Sequence, residues 1–103
     1  MFIYNVRVTV IKDIEEEWLK WMKEEHIKNI LETGYFTNSE IHKLVLPDTS
    51  VDESTYQINY SFNSMDDFQK YSELEAPRLR QEHSEKFPHK LKISRAVYRI
   101  IPK

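Results

Sequence analysis

Two histidines stand at apolar positions in segments with helical spacing. His26 lies four residues after Met22 and four before Ile30, and His83 lies four residues after Leu79. Residues four apart share one face of a helix, so both imidazoles should point toward the sheet that the helices cover. Histidine changes charge near neutral pH and can act as acid, base or ligand. These two positions are therefore the first candidates for chemistry.

A small-molecule pocket is the kind of site these residues favour. Such pockets are mostly apolar with a few converging polar groups. The candidate pocket residues are His26, His83, Trp18, Met22, Tyr56, Tyr60 and Arg78. Arg80 is a second basic position that could hold an anionic ligand. Two alternatives stay open: each histidine could be a core-edge side chain bonded to a backbone carbonyl and to water, and the aromatic residues could simply be core.

Motifs for other chemistries are missing from the sequence. Gly34 is the one glycine and cysteine is absent, which removes phosphate-binding glycine loops, disulfides and cysteine nucleophiles. Glu25, Glu82, His42 and His89 do not show the spacing of a helical zinc site. We therefore predict no metal and no cofactor. Hydrolase, NTPase and dehydrogenase functions have no motif to support them.

Charge and hydropathy limit the location and the partners. The first residues contain no basic leader, and no apolar run approaches the roughly 18 residues of a membrane span. With cysteine absent, a cytoplasmic protein without membrane contact is expected. From Arg78 onward, eight basic residues face two acidic ones. Weak nonspecific nucleic-acid binding is one interpretation of this basic part, but no nucleic-acid motif accompanies it, so a solvated face is favoured.

Four strands are predicted from apolar residues that alternate with polar ones. The alternation has the period of two expected of a half-buried strand. The strands cover 2–11, 36–46, 54–62 and 90–101. The residues Pro, Asp, Thr and Ser over 47–54 predict the turn that joins the second strand to the third as a hairpin.

Two helices are predicted between these strands. The first runs over 14–33, with Asp13 as its N-cap and Gly34 at its end, because glycine adopts the left-handed conformation freely. Ser64 is the predicted N-cap of the second, which ends near Phe87 and is interrupted or kinked at Pro77. Proline removes an amide donor and crowds the preceding turn.

The order β-α-β-β-α-β predicts one α+β domain over 1–103 with a ferredoxin-like sandwich. Two helices then cover one face of a four-stranded antiparallel sheet. In this topology the C-terminal halves of both helices, and hence His26 and His83, lie toward the same end of the sheet. The second face carries Ile3 and Ile11 beside polar residues, and we expect a second copy of the chain to cover it in a homodimer.

Four segments resemble an uncharacterised bacterial family that is known only as a domain of unknown function. The segments are WLKWMKEEHI at 18–27, TGYF at 33–36, YQINY at 56–60 and EAPRLRQEH at 75–83. The family is similar to the dimeric α/β-barrel superfamily, in which two ferredoxin-like protomers pack sheet to sheet. The resemblance places these residues at family-pattern positions: Trp18, Trp21, His26, Gly34, Phe36, Tyr56, Gln57, Tyr60, Ala76, Pro77, Leu79 and His83. No activity comes with it.

The wider superfamily includes antibiotic-biosynthesis-type monooxygenases and haem-degrading enzymes. The resemblance implies a pocket between helices and sheet that uses an asparagine on the first strand and a histidine on the second helix. Asn5 and His83 fit those residue types. However, Asn5 alternates with Tyr4 and Val6, so it should face away from the helices and from His83. Strand parity thus argues against a site that combines Asn5 with His83. The alternative to a small-molecule-binding domain is a monooxygenase-like or isomerase-like enzyme that uses His26 or His83.

Overall fold

The computed structural model describes residues 1–47 and 50–103 of the chain, and the predicted turn over 47–54 includes Asp48 and Thr49, which lie outside them. The elements alternate in the order predicted from the sequence. They are β1 (Phe2–Ile11), a 3-10 turn (Lys12–Ile14), α1 (Glu15–Trp21), a π-helical segment (Met22–His26), α2 (Ile27–Glu32), β2 (Asn38–Lys43), β3 (Glu53–Phe62), α3 (Met65–Leu74), α4 (Ala76–Lys86) and β4 (Leu91–Arg99). This α+β arrangement is the predicted ferredoxin-like fold.

The four strands form one antiparallel sheet in the order β2-β3-β1-β4. The central strand β1 pairs on both sides, so that Asn5 lies opposite Asn59 of β3 and Ala96 of β4. Strands β2 and β4 are the edges. None of the helices in the described ranges is both long and apolar enough to cross a membrane.

The helices cover one face of this sheet, as the period of two predicts. Val8, Val10, Ile58 and Phe62 are each 0% exposed, and their neighbours in sequence point to the opposite face. That opposite face is mostly polar, with Arg7 exposed near its middle. The buried side chains therefore form one core between the helices and the sheet.

The first helix ends as predicted but begins differently. Gly34 has φ +86°, the left-handed conformation that stops the helix. The prediction of Asp13 as the N-cap is wrong, because Asp13 lies inside the 3-10 turn and Ile14 is the N-cap residue, with no side-chain hydrogen bond. The first turn of α1 instead carries three glutamates at 15–17, which the helix dipole favours.

The second helix is divided in two, as Pro77 predicts. The Ser64 hydroxyl accepts the Asp67 amide at 3.2 Å, which confirms the predicted cap. Helix α3 ends before Glu75, whose φ of −120° breaks the helical path, and Pro77 lies in the first turn of α4. Proline is tolerated there because its missing amide would have no helical partner.

The second strand is shorter than the predicted 36–46. Phe36 is buried in the core before β2 begins. At the other end, the Leu44 amide still donates to the Thr55 carbonyl at 2.8 Å, but Val45 and Leu46 leave the sheet and are each 75% exposed. Apolar residues thus extend beyond the strand at both ends, which is why the pattern overestimates its length.

Candidate functional site

His26 occupies the last position of the π-helical segment. The backbone remains helical on both sides of the segment, at Trp21 and at Ile27. A single π-helical turn inserts one extra residue into an α-helix. Such turns are rare overall, and a large share of them lie at functional sites. The His26 side chain is 5% exposed and faces the sheet. The sequence pattern predicts this direction but gives no sign of the π-helical turn.

His83 is held by a hydrogen bond from the first helix. The Trp18 indole Nε1 donates to His83 Nε2 at 3.0 Å, and both side chains are buried. An indole nitrogen can only donate, so Nε2 of His83 must carry no proton. His83 is therefore neutral, with its proton on Nδ1.

The two imidazoles lie against each other at the centre of an aromatic cluster. The ring centroids of His26 and His83 are 4.8 Å apart. Trp21 stacks on His26 at 4.8 Å and contacts His83 at 5.5 Å, and Phe87 meets Trp21 edge to face. Two separate helices thus bring both histidines together at the same end of the sheet, as the topology predicts.

A cavity of about 20 Å³ lies beside the two histidines, between the helices and the sheet. This volume suits about one water-sized group. Met22, Tyr60, Tyr4, Tyr71, Arg80 and Arg95 also contribute to its lining. Since Arg95 is exposed on the edge strand β4, the cavity lies close to the surface on that side.

Two buried polar atoms at this cavity have no hydrogen-bond partner among the described residues. They are His26 Nδ1 and Arg80 Nε. Another nitrogen of Arg80 donates to the Tyr4 hydroxyl at 3.2 Å, which fixes the guanidinium beside the sheet. Most buried polar groups in proteins are paired, because an unpaired one costs about 1–3 kcal/mol. Two such atoms at one cavity indicate a place where something polar binds.

Burial and positive charge keep both imidazoles neutral. Burial lowers the pKa of His26 to about 4, and the charge of Arg95 acts in the same direction. Burial, followed by the neighbouring His26 and Arg95, lowers the pKa of His83 to about 3. Burial also raises the pKa of Tyr60 and of Tyr71. At pH 7 the cavity therefore presents neutral imidazoles and phenols beside two guanidinium groups.

The structure places the other predicted pocket residues unevenly. Met22 and Tyr60 line the cavity, and Trp18 supports it through His83. Tyr56 does not line it: its ring lies 5.1 Å from that of Trp18, but its hydroxyl donates to Glu15 at 2.6 Å. The ligand-pocket prediction for Tyr56 therefore describes a neighbour of the site.

Arg78, a predicted pocket residue, lies outside the cavity, and Arg80 lines it instead. Arg78 is exposed and pairs with Glu75 at 3.2 Å and with Glu82 at 3.9 Å. Residues two apart on a helix project about 200° from each other, so only one of these arginines can face the sheet. The position of Leu79 and His83 on the buried face could have shown which one.

Besides Arg80, three lining residues with a polar or charged group were not among the predicted pocket candidates. Tyr4 and Tyr71 are core aromatics with ring centroids 6.0 Å apart. Arg95 stands between Ile93 and Val97 on the helix-facing side of β4. Strand parity could have placed Arg95 on this face, which it shares with Ile93. Its role as a site residue depends on a cavity that the sequence does not reveal.

Glu15 anchors a second polar cluster between α1 and the edge of the sheet. It accepts hydrogen bonds from Tyr56 and from Ser54 at 2.9 Å, and it lies 3.1 Å from the ammonium of Lys43. Partial burial acts to raise the pKa of Glu15, but the bonds from Tyr56, Lys43 and Ser54 together lower it. Both carboxylate oxygens are engaged, so this cluster has the form of a structural anchor.

The open face of the sheet carries a continuous ladder of side-chain hydrogen bonds. Asn5 donates to Asn59 at 2.7 Å and to Gln57 at 3.4 Å. Gln57 in turn contacts His42 at 3.2 Å, and His42 contacts Glu40 at 3.1 Å. We call these five residues the amide ladder. Asn5 thus lies on the opposite face from His83, as strand parity predicts.

A groove of about 460 Å³ follows the amide ladder. Arg7, Ser94 and Tyr98 add to its lining, together with Ile3. Along the described residues 1–47 and 50–103, no three His, Cys, Asp or Glu side chains gather closely enough to hold a metal ion. The lining of this groove makes the open face an extended, largely uncharged polar surface.

Comparison with known proteins identifies the family and the fold. The family model described as "Domain of unknown function (DUF4286)" matches residues 1–101. No curated protein matches the chain. The family match and the fold bear out the resemblance stated from the sequence.

Solved structures with the same fold differ widely in sequence. A dimeric ferredoxin-like protein from an uncultured marine organism has a TM-score of 0.69 at 16% identity, covering 100% of this chain and 97% of its own. SnoaB from Streptomyces nogalater, a cofactor-independent oxygenase, has a TM-score of 0.66 at 13% identity, covering 99% and 95%. HapK from Hahella chejuensis has a TM-score of 0.70 at 7% identity, covering 100% and 95%. These likenesses show the fold alone.

Proposed function

Since the chain belongs to the DUF4286 family of unknown function, we propose from its own side chains that it is a homodimeric domain that binds a small molecule between its helices and its sheet. One observation carries the proposal. His26 and Arg80 both line the cavity where His26 and His83 meet, and each carries a buried nitrogen without a partner among the described residues. Most polar atoms in a structural core have a hydrogen-bond partner, so two unpaired nitrogens on residues of one cavity favour a binding site.

The surroundings of the cavity support binding over simple packing. The Trp18 to His83 hydrogen bond holds one imidazole, and Trp21 stacks on the other with 4.8 Å between ring centroids. Sites that bind ligands well are held in position before the ligand arrives. Because the cavity admits about one water-sized group, the ligand would insert a single polar end there and keep its remaining atoms outside.

The homodimer is proposed from the open face of the sheet. The amide ladder pairs its polar groups within the chain, which reduces the cost of removing them from water under a second copy. The solved relative from a marine organism is named as dimeric, and it shares this fold. In this proposal residues 1–103 form one domain, two copies pack sheet to sheet, and the protein works in the bacterial cytoplasm.

The binding site can be tested through the two tryptophans. Trp18 and Trp21 are the only ones in the sequence, so a ¹⁵N-labelled sample gives two indole signals. A metabolite that enters the cavity should shift both signals, because one indole bonds His83 and the other stacks on His26. We expect a metabolite screen to give at least one such shift.

Matched variants decide whether the shift comes from this cavity. His26→Ala and His83→Ala should abolish it, whereas His42→Ala, on the open face, should not. If both cavity variants keep the shift and the thermal stability of the parent chain, the proposed site is wrong.

An oxygenase or isomerase that uses His26 or His83 as a base is the second candidate. The lowered pKa values leave both imidazoles neutral at pH 7, the protonation state that a base requires, although they also weaken each imidazole as a proton acceptor. SnoaB, a cofactor-independent oxygenase, shares the fold. Oxygen uptake with electron-rich phenols would support this candidate if His26→Ala or His83→Ala stopped it. Uptake that persisted in both variants would count against it.

Weak nucleic-acid binding through the basic C-terminal part is the least supported candidate. Arg78 is engaged by Glu75 and Glu82, and Lys92 lies 3.4 Å from Glu53. These pairs reduce the charge available to phosphates. Retention on heparin at low salt that disappears with modest salt would support nonspecific binding, and no retention would end this reading.

A further inference from the structure

The charges around the cavity are of one sign. Arg80 and Arg95 both line it, and the described residues that line it include no aspartate or glutamate. Arg95 also lies close enough to act electrostatically on both histidines. The local dielectric in a partly buried cavity is low. Two cations with no acid beside them therefore attract a negative group more strongly there than the same cations would in bulk water.

The unpaired atoms have the same preference. Arginine Nε always carries a proton and can only donate a hydrogen bond. Neutral His26 can place its proton on Nδ1, so that both unpaired nitrogens are hydrogen-bond donors on residues that line the cavity. Donors without a partner favour an acceptor, and an oxygen that carries negative charge is the strongest acceptor available.

We propose that the ligand of this cavity is a small monocarboxylate, whose charged end lies among His26, Arg80 and Arg95 while the rest of the molecule extends past Arg95. The proposal rests on the small-molecule site proposed above and specifies its chemistry. The volume of about 20 Å³ admits about one oxygen atom, so a flat carboxylate with two oxygens fits with less rearrangement than a tetrahedral phosphate group. The exposed Arg95 leaves a charged partner for the second carboxylate oxygen at the surface.

Pairs of acids and amides of equal shape test this chemistry directly. Acetate and acetamide, and benzoate and benzamide, differ in charge but hardly in size. We expect the carboxylates to shift the indole signals of Trp18 and Trp21 with a dissociation constant at least about tenfold lower than that of the matching amide, a difference of about 1.4 kcal/mol. Inorganic phosphate at the same concentration should leave both signals unchanged.

Two arginines on the same helix provide the matched variants. Arg80→Gln should remove the preference for the carboxylate, because it deletes both the charge and the Nε donor. Arg78→Gln removes an equal charge from the exposed side of α4 and should retain the preference. If Arg80→Gln fails to fold, as judged by its thermal melt, His26→Asn provides the second test. Asparagine can replace the Nδ1 donor and should keep part of the carboxylate affinity that His26→Ala loses.

The outcomes separate the two proposals. If carboxylate and amide bind equally well and His26→Ala abolishes both, the cavity is a binding site but the carboxylate proposal is wrong. If phosphate displaces the carboxylates, the site selects charge and not the carboxylate group, which also overturns this inference. If neither carboxylate changes the indole signals and a screen of uncharged metabolites also fails, the small-molecule site itself is wrong.

Discussion

The cavity at His26 and the amide ladder lie on opposite faces of the same strand, one residue apart. Tyr4 points to the cavity, where it accepts a hydrogen bond from Arg80, and Asn5 points to the ladder, where it donates to Asn59. Both regions are rich in polar side chains. They differ in pairing: the ladder bonds its groups to each other, while the cavity leaves two nitrogens without a partner among the described residues.

This difference separates two uses of polar groups. On the ladder, each hydrogen bond replaces one with water, so its net contribution to the monomer is small, about 1 kcal/mol or less. In the cavity, burial makes each polar group costly unless it is bonded. A paired surface is suited to being covered by another copy, and an unpaired cavity is suited to receiving a ligand.

Removal of Trp18 should have the largest effect on stability. This side chain is 0% exposed, packs on Tyr56 and donates to His83. Trp18→Ala should lower the free energy of unfolding by about 3–5 kcal/mol, as for other large buried aromatic residues. Denaturation in urea measures it. Trp18→Phe keeps most of the volume but removes the donor, and should cost about 1–3 kcal/mol.

A loss of less than about 1 kcal/mol for Trp18→Ala would mean that the cavity side of the sheet is no better packed than the surface. In that case the contrast with the amide ladder would disappear, because both regions would tolerate substitution equally.

Acid should destabilise the chain through the cavity histidines. Their pKa values are about 4 for His26 and about 3 for His83 in the folded chain, below the value of 6.5 for an unperturbed histidine. Between pH 6.5 and 4 the unfolded chain therefore binds protons that the folded chain does not. The free energy of unfolding should fall by roughly 3 kcal/mol or more as the pH falls through this range.

The groups that face these two histidines are Arg80, Arg95, Tyr4, Tyr60 and Tyr71. None of them is an acid whose protonation would replace the histidine effect. Thermal melts from pH 7.5 to 4 measure the slope. The variant His26→Asn should reduce it, and His42→Gln, on the ladder, should not. An unchanged slope in His26→Asn would contradict the lowered pKa of that group.

A lysine in the amide ladder should break the dimer but not the fold. Asn5→Lys places a charge at the centre of the surface that a second copy would bury, which costs several kcal/mol unless it is paired. Light scattering should give twice the chain mass of 12.5 kDa for the parent chain and one chain mass for the variant. Gln81→Lys adds the same charge on the exposed side of α4 and should remain dimeric. A monomeric parent chain would refute the homodimer.

Loss of a ladder side chain at its exposed end should have the smallest effect. His42→Ala removes contacts to Gln57 and Glu40, yet all three lie near the surface. We expect the free energy of unfolding to change by no more than about 0.5 kcal/mol. Urea denaturation measures this change, at a protein concentration low enough that the chain is monomeric. A larger loss would show that the ladder stabilises the monomer and is not reserved for an interface.

The sequence by itself determined the elements, the two faces of the sheet and the direction of both histidines. These features follow from local periods of two and of about 3.6 residues, which repeat over each strand and helix. Gly34, Ser64 and Pro77 also act locally, through backbone conformation, an N-cap bond and a missing donor. Parity alone separated Asn5 from His83.

Only the tertiary structure decided which polar atoms meet. The Trp18 to His83 hydrogen bond joins residues 65 positions apart. The π-helical turn at His26 has no local signal in the sequence. Arg80, and not the predicted Arg78, lines the cavity. Such choices depend on how two helices settle on one sheet, where a shift of a fraction of a turn exchanges one side chain for another. The unpaired nitrogens are a result of that packing, and no sequence period encodes them.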